Sequence, residues 1–187
     1  MRRMMTVLAL GLLAAPACAA PLKLSPADPQ PGTLAPGLSV QYAYPDDVRT
    51  LADASRALKE GGAPGTPLAG LDYWDTEAGD MALTSNREMH VVAGIRGFVR
   101  FDAPGVYAVD FLSNDGLRVA IGGQQVTVID ERTPCESGGI NEVDVPVAGW
   151  YPLEALWFQR SGTSCLHMRA APQGSAPDWM PNAAFGH

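Results

Sequence analysis

The 187-residue chain carries 13 Lys and Arg against 20 Asp and Glu, with 47% hydrophobic and 18% charged residues, a composition that excludes disorder as its main state. At a formal net charge of -7, with no local run of Lys or Arg, charge argues against nucleic acid and against an acidic membrane surface as partners. The 20 Gly and 16 Pro suit one domain of short strands joined by many turns better than a helical bundle.

Residues 1–19 read as a secretory signal: Arg2 and Arg3 open it, Val7 to Ala15 form an apolar run, and Ala17-Cys18-Ala19 is a small-residue cleavage site. The apolar run is too short to span a bilayer. Its removal takes two basic residues and no acid, leaving 11 Lys and Arg against 20 acids, formally -9. The mature chain is therefore expected in the periplasm or outside the cell. A rival reading makes Cys18 a lipid acceptor, although Ala15-Pro16-Ala17 matches that pattern poorly. Cys135 and Cys165 remain, and an oxidising compartment favours a disulfide between them. The alternatives are free thiols, or a nucleophilic Cys165 with His167, for which no third orienting group is in evidence.

Residues 20–36, with five prolines from Pro21 to Pro36, read as an extended linker. Gly37 to Tyr44 forms a first strand with Leu38, Val40, Tyr42 and Tyr44 on one face, ended by Pro45. Asp46 and Asp47 can cap a helix to about Lys59, with Val48, Leu51, Ser55 and Leu58 on one stripe and Gly61-Gly62 as its stop. Residues 60–86 form a long loop in which Asp72, Asp75, Glu77 and Asp80 surround Tyr73-Trp74. Acids with aromatics suit a sugar or a metal, and equally a solvated acidic loop.

From Met89 the chain becomes a series of strands: 89–101, 106–112, 117–121, 126–128, 143–147, 151–157 and 166–168, punctuated at Asp102 to Gly105, Ser113 to Gly116, Gly122-Gly123 and Ala148-Gly149. About seven strands at this spacing predict an all-β antiparallel sandwich or barrel with one short N-terminal helix. Gly116, after Asn114 and Asp115, is expected to take a positive φ in a tight turn. Residues 172–187 read as a loosely attached tail that Trp179 or Phe185 could dock.

A Ser-hydrolase elbow, a zinc helix, a phosphate loop, a dinucleotide fingerprint and an EF-hand loop are all missing, and His90, His167 and His187 lack metal-ligand spacing. Carboxylates in a flexible 72–80 loop would be poorly fixed for glycoside hydrolysis. The chain reads as a non-enzyme.

The order GFVRF, APGVYAVDFL, SNDGLRVAIGG over residues 97–123 resembles the PA-14 domain family, the β-sandwich module of anthrax protective antigen, fungal flocculins and many secreted glycosidases. Gly37-Leu38 with Tyr42 is similar to the family's opening strand, and Ala148-Gly149-Trp150-Tyr151-Pro152 to its closing strands, so the likeness covers about residues 37–171. It implies a PA-14-like sandwich whose lectin members hold calcium, and through it sugar hydroxyls, on two adjacent aspartates at the positions of Asn114 and Asp115. Asn114 departs from that pair, and Gly122 stands where an Asp is common. Asn114 keeps an oxygen but removes a charge, so a calcium site here needs help from the 72–80 loop or from carbonyls near Gly162. Otherwise Asn114 and Asp115 only make the turn. The resemblance points to an exported, non-catalytic module binding a glycan or another cell-envelope component. The alternatives are a structural or protein-interaction module of an envelope or extracellular assembly, and an enzyme accessory acting in trans.

Overall fold

Alternation of apolar and polar residues sends every second side chain of a strand to one face, and from Val91 onward that pattern builds two facing sheets. The computed structural model describes residues 20–187; the signal and lipid-acceptor readings on residues 1–19 lie outside them. In chain order the elements are β1 (Leu22–Lys23), β2 (Ser39–Ala43), α1 (Leu51–Gly61), β3 (Ala63–Pro64), β4 (Asp72–Tyr73), β5 (Val91–Phe101), β6 (Gly105–Asn114), β7 (Leu117–Ile121), β8 (Gln124–Ile129), β9 (Glu136–Ser137), β10 (Asn141–Val145), β11 (Gly149–Gln159), β12 (Cys165–Pro172), β13 (Asp178–Trp179), a 3-10 turn at Asn182–Ala184 and β14 (Phe185–Gly186).

One sheet runs β1-β10-β6-β12-β13, with β4 also on β12 and β9 on β6; the other runs β3-β2-β5-β11-β7-β8, with β14 on β5. The longest ladder joins β11 to β5 from Gly149–Phe101 to Gln159–Val91. Ile95, Val99, Leu117, Val119, Tyr151, Leu153 and Trp157 from this sheet meet Val109, Phe111, Leu166, Met168 and Val143 from the other in one buried core. Each such large side chain contributes about 1.5–3 kcal/mol by leaving water. The result is the expected all-β sandwich, with one α-helix among the described residues.

The helix begins later than the sequence suggests. Thr50, not Asp46 or Asp47, caps α1 by accepting a hydrogen bond from Asp53 N at 3.1 Å. Asp47 is instead drawn to Arg160 and Arg49, at 2.6 and 2.7 Å, and these bonds, that of Arg160 foremost, hold its carboxyl well below the usual range. Gly62 closes the helix as read, donating its N–H to Leu58 O. Val48, Leu51 and Ala54 pack on Ala43, Val92, Leu156 and Phe158, the outward residues of β2, β5 and β11, as a second apolar cluster.

Two boundaries need correction. Residues 20–36 are not a free tether: β1 pairs in parallel with β10, Leu24 is 1% exposed within the core, and Ala35 exchanges two backbone hydrogen bonds with His187. The tail is equally bound, with Trp179 paired to Arg169 and the buried Phe185 paired to Val99. Both aromatics dock it, and the sandwich extends well beyond residues 37–171 on either side.

Candidate functional site

The β6–β7 turn, the loops at 130–135 and 160–164 and the long 74–90 loop meet at one end of the sandwich, because they follow or precede strands that finish together there. Asn114 and Asp115 lie at its centre, 7% and 4% exposed and joined by a cis peptide bond. Asp115 Oδ2 accepts the Arg160 N–H at 2.8 Å, and Asn114 Nδ2 donates to Thr163 Oγ1 at 3.1 Å. Arg132 and Arg160 add positive field around the Asp115 carboxylate. Burial nevertheless outweighs these partners and raises the Asp115 pKa. Asn114 Oδ1 is buried without a hydrogen-bond partner.

The disulfide forms as read, Cys135 to Cys165 with 5.8 Å between Cα atoms. It ties the 130s loop to β12 beside Asn114, the cross-strand partner of Cys165. A bridged Cys165 offers no thiolate, which removes the Cys165–His167 nucleophile reading. Asp75 brings the acidic loop to this end: its carboxylate lies within 4.8 Å of both sulfurs. Thr76 and Ser164 hold the loop there through Ser164 N to Thr76 Oγ1 at 2.9 Å and Thr76 N to Ser164 O at 3.1 Å. Further along, Tyr42 OH bonds Thr84, and burial pushes that hydroxyl's pKa up to about 12.

Next to Asp75, the Trp74 ring stands 57% exposed. Its centroid is 4.5 Å from that of His167 and 4.7 Å from that of Trp179, in edge-on contacts. Arg169 lies over the other ring, 5.3 Å from the Trp179 centroid, and its guanidinium pairs with the fully buried Asp110, which also accepts from Ser137 Oγ at 2.6 Å. His167 is almost wholly buried with Nδ1 3.5 Å from Asp72 Oδ1. Burial lowers its pKa while Asp72 pulls the other way. The rings are thus held from behind by a clamped arginine and a buried imidazole, with Asp72 and Asp75 alongside. Sequence reasoning singled out Trp74 but left Trp179 in the tail and His167 as an ordinary residue. Only the pairing of β13 and β4 on β12 brings the three rings together.

The site corrects one expectation about Gly116. Its φ is not positive, but a Cβ there would lie 2.2 Å from Phe158 Cε1, so the need for glycine comes from a ring rather than from turn geometry. For calcium, which asks for six to eight oxygens and gains affinity from carboxylates, the turn by itself offers Asn114 Oδ1 and the Asp115 carboxylate, with Asp75 nearby at the disulfide. Asn114 Oδ1 is buried and unpartnered, an oxygen that can ligate the ion but adds no charge. Asp115 is the only carboxylate in the turn, already bonded and flanked by Arg132 and Arg160. The Gly162 and Thr163 carbonyls accept from Gln159 Nε2 at 3.1 and 3.4 Å.

No family model and no curated protein matches the sequence. Solved structures do match the fold. The PA14 domain of an antifreeze protein, MpAFP, superposes with TM-score 0.67 at 15% identity, over 83% of this chain and 92% of that one. A PA14 sugar-binding domain from an RTX adhesin gives 0.64 at 16% identity, over 82% and 99%. The epithelial adhesin 9 A domain of Candida glabrata, in complex with Galb1-4GlcNAc, gives 0.66 at 14% identity, over 89% and 94%. At such identities the likeness establishes a PA-14-like fold.

Proposed function

We propose that this PA-14-like sandwich is an exported, non-catalytic carbohydrate-binding module that takes its glycan on the aromatic platform of Trp74 and Trp179. The observation that carries the reading is the exposed Trp74 ring, fixed edge-on against His167 and Trp179 beside the carboxylates of Asp72 and Asp75. Sugar rings present apolar C–H faces and polar hydroxyl rims; a fixed aromatic supplies surface for the first at low entropic cost, and carboxylates accept from the second. Fold-mates described as a sugar-binding adhesin domain and as an adhesin domain with a bound galactoside support the reading. The disulfide supports export, and no helix among the described residues is long and apolar enough to cross a membrane.

The reading does not route through calcium: the rings of Trp74 and Trp179 with the Asp72 and Asp75 carboxylates carry it. A glycan array with the wild-type protein and Trp74→Ala tests it. Binding of neutral glycans by the wild type, lost in Trp74→Ala with an unchanged melting temperature, is the expected result. No glycan bound by the wild type, or equal binding by both proteins, refutes it and returns the chain to a structural or protein-interaction role in an envelope assembly.

A further inference from the structure

On the opposite sheet, away from that platform, the outer face of β2, β5, β11 and β7 is only partly covered. Helix α1 seals the Ala43, Val92, Phe158 part of the face. Gly94 lets it settle, since a Cβ there would meet Leu58 Cδ1 at 2.9 Å. Beyond the helix a groove of about 700 Å³ remains, walled by Ser55, Leu58 and Lys59. That volume lies in the range of small-ligand sites. Along its floor the ladder aligns Ser39, Arg96, Glu154, Ala120 and Gln125 in one row, with Gln41, Gly94, Leu156 and Arg118 in the next.

The charge of this groove reverses that of the molecule. Of 11 basic residues after Arg3, three line it, Lys59, Arg96 and Arg118, whereas Glu154 is the only one of 20 acids to do so. None of the three cations is within ion-pair distance of a carboxylate among the described residues. Arg96 and Arg118 stand on either side of β11, two strands and two residues apart, so their Cα atoms are separated by about 12 Å at ordinary strand spacing. Planar guanidiniums so placed suit two carboxylate or sulfate groups, each taken in a two-pronged hydrogen bond.

We propose that this groove is a second binding site, specific for an anionic oligosaccharide bearing carboxylates or sulfates. The floor is the middle of a sheet, where β11 is hydrogen-bonded on both sides, so no backbone is free to add an extended peptide as a strand. No aromatic side chain lines the groove, and besides Lys59 and the single carboxylate of Glu154 its polar surface is hydroxyl, amide and guanidinium: Ser39, Ser55, Gln41, Gln125, Arg96 and Arg118. Such a surface matches a ligand made of hydroxyls and acids. The site does not depend on the Trp74 platform, and either can fail without the other.

The test is calorimetric titration at physiological salt with an oligogalacturonate tetramer and a heparin-derived tetrasaccharide, against neutral maltotetraose. The wild type and Trp74→Ala are expected to bind at least one of the acidic probes at least tenfold more tightly than the neutral one. Arg96→Ser/Arg118→Ser, both at exposed positions, should lose that preference with an unchanged melting temperature. Glu154→Gln removes the one opposing charge and should tighten acidic binding several-fold, a gain that a merely misfolded variant cannot mimic. Equal affinity for acidic and neutral probes, or a preference that survives the double arginine variant, overturns the proposal. So does a wild-type dimer that the arginine variant dissolves, which would make the groove a seat for the acidic surface of a second copy.

Discussion

Replacing Gly116 by Ala isolates one methyl group at the centre of the site. An added Cβ would lie 2.2 Å from Phe158 Cε1, 2.7 Å from Cζ and 2.9 Å from Cδ1, where ordinary contact begins near 3.4 Å. The ring would have to retreat by about 1 Å, and it has nowhere to go: it is buried against Val48, Leu51, Ala54 and Leu156. Its backbone is fixed too, by Phe158 N to Gly116 O and Asp115 N to Phe158 O, both at 3.0 Å. Overpacking of this kind costs about 1–3 kcal/mol, and a rigid ring points to the upper half. Because the φ of Gly116 suits an L residue, alanine returns about 0.4–1 kcal/mol through a stiffer unfolded chain. The net loss is about 2 kcal/mol, or a fall of roughly 4–8 °C in a domain of this size. Differential scanning calorimetry of Gly116→Ala, Phe158→Leu and the double variant measures it. Shrinking the ring removes the clash, so the double variant should cost less than the two single changes together. Melting of Gly116→Ala within a degree of wild type, or additivity within about 0.5 kcal/mol, would refute the steric argument.

Three further outcomes follow from the same site. Reducing the Cys135–Cys165 bridge, which closes a separation of 30 residues, should cost about 3–4 kcal/mol in the chain-entropy model; the intact native protein should weigh two hydrogens less than its reduced form, and alkylation of both thiols without reductant would disprove the bridge. Calcium titration should give no heat in the millimolar range; heat in the wild type that disappears in Asp115→Ala would restore the ion to the site. His167 has its pKa lowered from 6.5 by burial, so on acidification the unfolded chain takes up the proton first; the stability this neutral group contributes is present above pH 6.5 and is lost as the pH falls toward its lower folded value. Melting temperatures from pH 7.5 to 5 should therefore fall more steeply for wild type than for His167→Gln, and parallel slopes would contradict the assignment.

The core of the fold was legible because its strands alternate and their turns carry glycine. Gly122 and Gly123 do have positive φ, 54° and 78°, between β7 and β8. The cysteine pairing was legible because only two cysteines, Cys135 and Cys165, follow residue 19. Gly116 was picked out for the wrong reason, since a sequence displays turn residues but not a ring reaching across from β11. Of the platform only Trp74, with Asp72 and Asp75 beside it, was legible; its meeting with Trp179 and His167 was not. It exists through two-residue strands, β4 and β13, too short to show periodicity, and through a register that joins residues far apart in the chain. The cationic groove was hidden likewise, because Lys59, Arg96 and Arg118 are scattered in sequence and converge only in the ladder.

The Pro-rich segment offers the sharpest contrast between composition and packing. Five prolines in residues 20–36 suggest a spacer, yet the property that keeps proline out of central strands allows it at a sheet edge. An edge is where β1 runs, beside β10 alone, with Leu24 N bonded to Asp144 O and the Leu24 side chain inserted between the sheets. A tether residue could be changed freely, within about 0.5 kcal/mol. A buried leucine truncated to alanine loses about 2–5 kcal/mol, because the cavity it leaves is only partly refilled. Leu24→Ala should therefore lower the melting temperature by roughly 4 °C or more, whereas Lys23→Ala, at its exposed neighbour in β1, should leave it nearly unchanged. Equal melting of wild type and Leu24→Ala would mean that the segment is a spacer after all and that the sandwich stands without its first strand.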